Sequence, residues 1–245
     1  MSIISFFITN LLPYITIVIF IGGLIYRIQG WINTPLPMPL SVTYPKSRID
    51  QIIKILREIL LFPSLIKNDR NLWIGAWPFH AALAIIILGH SRLFTTIPDK
   101  ILFTIGFTPT GIKALSTILG GIAGIVIMFS LIYLLARRFT EITVRNMSNP
   151  MDYLILIWLL GIVIAGNYMH FYNAPYTDIA EMRTYLKSIF ILEPIAPPGS
   201  TVLLIHMFLV QILLISLPFT KLIHPIGIFF TQGIKNSLVL LRNVK

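Results

Sequence analysis

The hydrophobic positions of the chain fall into five long apolar runs separated by shorter polar segments. A helix needs about 20 apolar residues to cross the hydrocarbon core, where only a helix satisfies its own backbone polar groups. We therefore predict an all-α fold, an integral membrane bundle of about five transmembrane helices in a single domain over 1–245. The predicted spans are 4–26, 73–95, 114–136, 151–172 and 202–220, the last continuing past Pro218 to about residue 234.

Composition supports the same conclusion. The 245 residues are 56% hydrophobic and only 11% charged, with a mean hydropathy of +0.85. Soluble domains carry about 25% charged residues. We expect a multi-pass protein of the cell membrane in contact with lipid.

The basic side chains predict the orientation of the bundle. Fourteen of the 19 lysine and arginine residues lie in segments 27–72, 137–150 and 221–245, which five spans place on one side. By the positive-inside rule this side is cytoplasmic, with the N-terminus outside and the C-terminus cytoplasmic. Because the charges cluster at the ends of apolar runs, the net charge of +10 indicates topology and no nucleic-acid partner.

Segment 27–72 is predicted to be a long cytoplasmic loop with an amphipathic helix within it. A proline-rich stretch, 31–45, precedes the sequence SRIDQIIKILREILLFPSL. Isoleucine and leucine residues follow helical spacing there, interrupted by Lys54, Arg57 and Glu58. Such a helix either lies in the membrane interface or docks a partner protein.

The chain contains no cysteine, which excludes disulfides, iron–sulfur ligation and covalent haem attachment of the C-x-x-C-H kind. Any metal must be held by histidine, methionine or carboxylate. A single histidine in a membrane span is often a hydrogen-bonded packing residue, whereas several at matched positions indicate a metal site.

Four of the five histidines form two matched pairs. His80 and His90 lie ten residues apart in the second span, about 15 Å along a helix axis, and His206 and His224 lie eighteen apart, about 27 Å. Antiparallel spans place His80 on the side of His224, and His90 on the side of His206. Each pair can hold one haem iron from both axial sides, so we predict two b haems. The fifth, His170, has no counterpart and lies at the outer end of the fourth span, where we expect plain solvation in preference to an interfacial or quinone-side role.

The eighteen-residue spacing exceeds the ten-residue spacing. A kink near Pro218, a tilted helix, or a position of His224 at the membrane surface would each account for the difference.

Two further groups are candidate cofactor contacts. Gly120, Gly121 and Gly124 form a small-residue face on the third span, which we expect to serve helix packing and which could also give room to a haem or quinone ring. Arg137 and Arg138 close that span on the cytoplasmic side, where they serve as topological anchors or meet haem propionates.

Nearly the whole chain resembles the nitrate reductase gamma-subunit family of dihaem cytochromes b. The matching features are NLLPY at 10–14, Tyr26-Arg27, WPFH…GH, GGIAG at 120–124, Arg137-Arg138, Asp152 and H…PFTKLIH. Agreement of both histidine spacings is the specific part of this resemblance.

The resemblance implies a set of site residues. His80 and His224 would ligate a cytoplasmic haem, and His90 and His206 an outer one. Menaquinol would be oxidised near the outer haem, with Lys113 as the counterpart of a quinone-binding lysine.

The long 27–72 segment departs from nitrate reductase gamma subunits. It looks more like the membrane subunits associated with dissimilatory sulfite reductase and heterodisulfide reductase, which pass electrons between menaquinone and a cytoplasmic iron–sulfur subunit. We expect the same role here, as a subunit of a respiratory complex and not a complete enzyme. A nitrate reductase gamma subunit is the alternative.

Two functions of other classes are alternatives. A proton transporter with a histidine relay would need charged groups in mid-span, and mid-span aspartate, glutamate and lysine are absent. A haem-free membrane anchor differs in that its histidines could be replaced without loss of colour.

Overall fold

The computed structural model describes residues 2–33, 48–172, 179–197 and 200–227, and within these ranges the regular structure is helical. The helices are α1 Ile3–Asn33, with a π-helical stretch at Phe7–Leu11, α2 Arg48–Leu61, α3 Pro63–Asn68, α4 Arg70–Ser91, α5 Ile97–Thr104, α6 Pro109–Thr140, α7 Ile142–Met147, α8 Pro150–Phe171, α9 Ile179–Phe190 and α10 Thr201–Ser216.

Among the described residues, five helical segments are long and apolar enough to cross a membrane: α1, α4, α6, α8 and the run Thr201–Phe219. This confirms the all-α fold class, the number of spans and the multi-pass membrane location. The orientation of the two termini stays a prediction.

Two helices end earlier than the spans predicted for them. The second span was expected to reach residue 95, but α4 ends at Ser91, where the Arg92 N–H donates to the carbonyls of Gly89 and His90 and closes the last turn. The fifth span was expected to continue to 234, but α10 ends at Ser216 and a 3-10 turn, Leu217–Phe219, follows.

Pro218 explains the second difference. Proline has no N–H to donate to the preceding turn, and its ring crowds the carbonyl four residues earlier. Thr220 then takes an extended conformation, with φ −116° and ψ 175°. Of the interpretations left open for the eighteen-residue spacing, an interruption at Pro218 is therefore present. Residues 228–234 lie outside the described part of the chain.

The chain divides into two compact units, Met1–Leu11 with Arg57–Val210 and Leu12–Leu56 with Gln211–Lys245. In the first unit, α6 packs against both α4 and α8. Their contact centres on small and aliphatic side chains that are nearly fully buried, namely Ala82, Ala123, Ile127 and Leu131. Many large apolar side chains of the spans are exposed on the outside, as a lipid environment allows.

In the second unit, α1 packs against the turn that carries Pro218. A Cβ added to Gly23 would lie 2.8 Å from the Cβ of Pro218, so only glycine allows this close approach.

Hydrogen bonds fix the amino ends of two spans. Asp69 caps α4 by accepting from the Leu72 N–H at 2.8 Å. Asn149 and Asp152 form a reciprocal capping box at the start of α8. These caps satisfy backbone donors that a helix leaves unpaired at its first turn.

The amphipathic helix is α2, and its apolar residues are exposed along one face: Ile49, Ile52, Ile53, Leu56 and Leu60. It ends at Phe62, which has the left-handed conformation with φ 52° and ψ 46°.

Two tryptophans of α4 hold the carboxyl end of α2. The indole N–H groups of Trp73 and Trp77 donate to the carbonyls of Leu61 and Leu60, at 2.9 and 2.8 Å. The end of α2 is thereby tied to the first two turns of a membrane span.

Candidate functional site

The structure brings His90 of α4 and His206 of α10 together. Their ring centroids are 6.5 Å apart, and the ring planes differ by 25°. With a metal–nitrogen bond of about 2 Å on each side, two axial imidazoles have ring centres roughly 6 Å apart. The separation of this pair therefore suits two ligands on opposite sides of one iron.

The protonation of both rings is also suited to a metal. Nδ1 of His90 lies 2.8 Å from the Ile86 carbonyl oxygen, and Nδ1 of His206 lies 3.1 Å from that of Ile162 on α8. A carbonyl oxygen only accepts, so Nδ1 carries the hydrogen in each ring. In the neutral imidazole, Nε2 then keeps its lone pair for a metal, the arrangement found for most metal-bound histidines.

The other two predicted ligands have the same kind of hydrogen bond. Nδ1 of His80 lies 2.7 Å from the Ala76 carbonyl oxygen, and Nδ1 of His224 lies 3.0 Å from that of Lys221. His80 belongs to the first compact unit and His224 to the second. Their pairing stays a prediction.

His80 is further held by two aromatic rings. Phe62 and Phe79 each lie edge-on to its imidazole, with ring centroids 5.1 Å away. Two edge-on contacts of this kind restrict the orientation of the imidazole ring.

The fifth histidine is used in packing. The ring of His170 on α8 lies against Gly120 and Gly121 of α6, where a Cβ on Gly121 would be 3.1 Å from Nε2. The side-chain amide of Asn167 donates to the Gly124 carbonyl at 2.9 Å. The small-residue face thus contacts α8 here, and a haem or quinone contact for Gly121 stays a prediction.

The two candidate arginines contact polar side chains of the same chain. Nη2 of Arg137 lies 2.6 Å from Oδ2 of Asp69. Arg138 donates through Nη1 to Oγ of Ser148 at 2.7 Å, with Oδ2 of Asp152 at 3.7 Å. These contacts join neighbouring span ends, and both the cytoplasmic location of these ends and a role toward haem propionates stay predictions.

Lys113 is exposed in the first turns of α6. Its backbone carbonyl accepts from Oγ1 of Thr117 at 3.0 Å. The quinone-binding role of its side chain stays a prediction.

One cluster of polar side chains near His90 was not predicted from the sequence. Arg92, Asp99, Ser116 and Arg183 form a cluster at the carboxyl end of α4, directly after His90. In the sequence, the available hint was the acidic residue Asp99. Arg92 and Arg183 had contributed only to the predicted orientation in the membrane. Which of these side chains meet depends on tertiary contacts between residues as far apart as Arg92 and Arg183.

The residues present fit a haem better than a single metal ion. In the described ranges, histidine, cysteine and carboxylate side chains form no group of three or more that could hold a metal. A haem iron takes four nitrogens from its porphyrin and needs only two axial ligands from protein. The His90–His206 pair supplies that number.

Comparison with known proteins agrees with this chemistry. The family model described as "Nitrate reductase gamma subunit" matches residues 63–242. The "Hdr-like menaquinol oxidoreductase cytochrome b-like subunit" of Archaeoglobus fulgidus is 28% identical, over 90% of this chain and 76% of that protein. The protein of the same name from Archaeoglobus profundus is 26% identical, also over 90% of this chain and 76% of that protein.

A third relative is named for nitrate reductase. The "Nitrate reductase gamma chain" of Bacillus subtilis is 26% identical, over 88% of both chains. Because the family model covers well over half of the residues, the chain belongs to the nitrate reductase gamma-subunit family.

Proposed function

We propose that the chain is a membrane cytochrome b subunit of a quinol oxidoreductase complex, which passes electrons between menaquinol and a cytoplasmic iron–sulfur subunit. The observation that carries the proposal is the His90–His206 pair, with its 6.5 Å ring separation. The relatives named for menaquinol oxidoreductases and nitrate reductase support it. The long segment with α2 favours the heterodisulfide-reductase-like subgroup over a nitrate reductase gamma subunit.

Four histidines would hold two b haems. His90 and His206 would hold one haem iron. His80 and His224 would hold the second, a proposal supported by their spacing and by the common Nδ1 hydrogen bond. Bound haem supplies one-electron transfer, which connects a two-electron quinol to one-electron iron–sulfur centres.

The protein's part is to fix the imidazoles. The ring of His206 is held by a carbonyl of α8, so three helices, α4, α8 and α10, define the pair. The buried contact of α6 with α4 and α8 holds these helices together. Rigid ligands lower the reorganisation that each electron transfer requires.

Menaquinol would bind near His90, at the side that the charge pattern places outside. Its oxidation releases two electrons and two protons, and an outward-facing site releases the protons outward. Lys113 is the candidate contact for a quinol oxygen, since its ammonium group is exposed at the start of α6.

Anaerobic reduction of the purified chain tests the proposed function. A reduced, water-soluble menaquinone analogue should reduce the haem, seen as a rise in the b-type α band, and Lys113→Ala should slow this reduction. Lys100→Ala is the matched control, because Lys100 is an exposed lysine of α5. Haem that dithionite reduces but the quinol analogue does not would contradict the proposal.

A further inference from the structure

The carboxyl end of α4 is held by an arginine from another helix. Nε and Nη2 of Arg183, on α9, both donate to the backbone carbonyl of Arg92, at 3.2 and 2.7 Å. Arg92 is the residue that caps α4, two positions after His90.

This contact supplies hydrogen-bond donors to the carboxyl end of a helix. The last carbonyls of a helix have no partner within it, and a cation at this end is favoured by the helix dipole. A guanidinium presents two N–H groups in a fixed fork, so one arginine can donate twice to a single carbonyl. Arg183 therefore caps α4 from outside the helix.

Arg183 is itself held in place by charge. Its Nη2 lies 3.8 Å from Oδ2 of Asp99, while Oδ1 of Asp99 lies 2.5 Å from Nε of Arg92. Arg92 also donates through Nη1 to Oγ of Ser116 on α6. The cluster of Arg92, Asp99, Ser116 and Arg183 ties α4, α5, α6 and α9 together and carries two positive charges against one negative.

The helix that carries Arg183 is anchored independently. Tyr185 of α9 has no exposed surface, and its hydroxyl donates to the Thr9 carbonyl at 2.7 Å. The position of Arg183 is thus fixed by the fold as well as by its ionic partners.

We propose that Arg183 is a positioning residue for the haem held by His90 and His206: it fixes the end of α4 beside His90 and keeps a positive charge next to that haem. This inference rests on the proposed function. Reduction adds one electron to the iron, so a nearby positive charge favours the reduced state and raises the reduction potential.

A redox titration of the purified chain tests the effect of charge. Arg183→Gln should shift one b-haem component, the one lost in His90→Ala, to lower potential and leave the other component unchanged. Lys187→Gln is the matched control, since it removes one positive charge from an exposed position of the same helix. An unshifted component in Arg183→Gln, or an equal shift in Lys187→Gln, would overturn the charge effect.

Hydrogen exchange tests the positioning without using the haem. The amides of Leu93 and Phe94 bond to the carbonyls of His90 and Ser91. They should exchange several-fold faster in Arg183→Gln, and also in Arg183→Lys, which keeps the charge but lacks the fork. Exchange as slow as in the unaltered chain would refute the positioning role.

The two measurements separate the inference from the function on which it rests. If the chain is colourless but Arg183→Gln still speeds up amide exchange at Leu93, the haem is rejected and the contact of Arg183 with α4 is retained. If the chain binds two b haems, and neither their potentials nor the amide exchange change in Arg183→Gln, the inference is wrong while the proposed function stands.

Discussion

At the scale of single residues, the two imidazoles of the central pair are held in different ways. His90 bonds to Ile86 on its own helix, a contact one turn back along the chain. His206 bonds to Ile162, 44 residues away on α8. The orientation of His206 therefore depends on the packing of α8 against α10, whereas that of His90 needs only an intact α4.

A close contact of α8 with α6 can be tested at Gly124. A Cβ there would overlap the side-chain amide of Asn167, which donates to the Gly124 carbonyl. We expect Gly124→Ala to lower the free energy of unfolding by about 1–3 kcal/mol, as overpacking does. Gly22→Ala, whose Cβ would meet nothing within 4 Å, should be neutral or slightly stabilising.

Unfolding of both variants in mixed detergent micelles, followed by helical circular dichroism, compares them. Similar stability of Gly124→Ala and Gly22→Ala would mean that the amide of Asn167 moves aside freely.

The candidate ligands could be read from the sequence, but their surroundings could not. Histidine is rare in apolar runs, so the residue type and the two spacings single out His80, His90, His206 and His224. The hydrogen bond from His206 to Ile162 and the contact of Arg183 with Arg92 join residues far apart in the chain. Spacing along one helix carries no information about such contacts.

At the scale of elements, the length of the apolar runs predicted the five spans but placed the ends of two of them too far along the chain. Where a helix ends depends on local interactions, such as the Arg92 cap of α4 and the missing N–H of Pro218. The interruption at Pro218 was one of the alternatives that the histidine spacing itself left open.

The amino end of α4 depends on Asp69, which caps the helix and pairs with Arg137. Asp69→Ala removes both contacts, whereas Asp69→Asn keeps an oxygen that can accept from the Leu72 N–H. Loss of an N-cap costs about 1 kcal/mol. We expect Asp69→Ala to be less stable than Asp69→Asn by roughly that amount.

Thermal denaturation in detergent measures the difference. Loss of Asp69 also removes an ionic partner from Arg137, whose Nε is buried without a hydrogen-bond partner among the described residues. Both variants should therefore fall below the unaltered chain. Equal denaturation temperatures for Asp69→Ala and Asp69→Asn would argue against a stabilising cap.

The amphipathic helix α2 was predicted to lie in the membrane interface or to dock a partner, and its attachment to Trp73 and Trp77 favours the interface. Tryptophan at the ends of membrane spans lies at headgroup depth. Both indoles bond to the last carbonyls of α2. We expect its exposed apolar face, which includes Ile52, to contact lipid in the isolated chain.

Spin labels can test this cleanly because the chain has no cysteine. A label on Ile52→Cys should be relaxed by oxygen, which concentrates in lipid. A label on Lys54→Cys, on an exposed polar position of α2, should be relaxed by a water-soluble nickel complex. Equal relaxation of both labels by the nickel complex would instead indicate a helix in water that awaits a protein partner.

At the scale of the whole molecule, the proposal needs two haem sites in one chain. The first is supported by the geometry of His90 and His206 within one compact unit. The second combines His80 with His224, which rests on spacing and on a shared Nδ1 hydrogen bond. The assignment of one haem to the cytoplasmic side also depends on the orientation predicted from the distribution of lysine and arginine.

The most direct test of the haem sites is a pyridine haemochrome count on the purified chain and on single alanine variants of His80, His90, His206 and His224, with His170→Ala as the control. We predict two b haems in the unaltered chain and in the control, and one in each of the four variants. The remaining haem should have one spectrum in the His90 and His206 variants and another in the His80 and His224 variants. A folded but colourless chain, or four variants that keep both haems, would contradict the assignment.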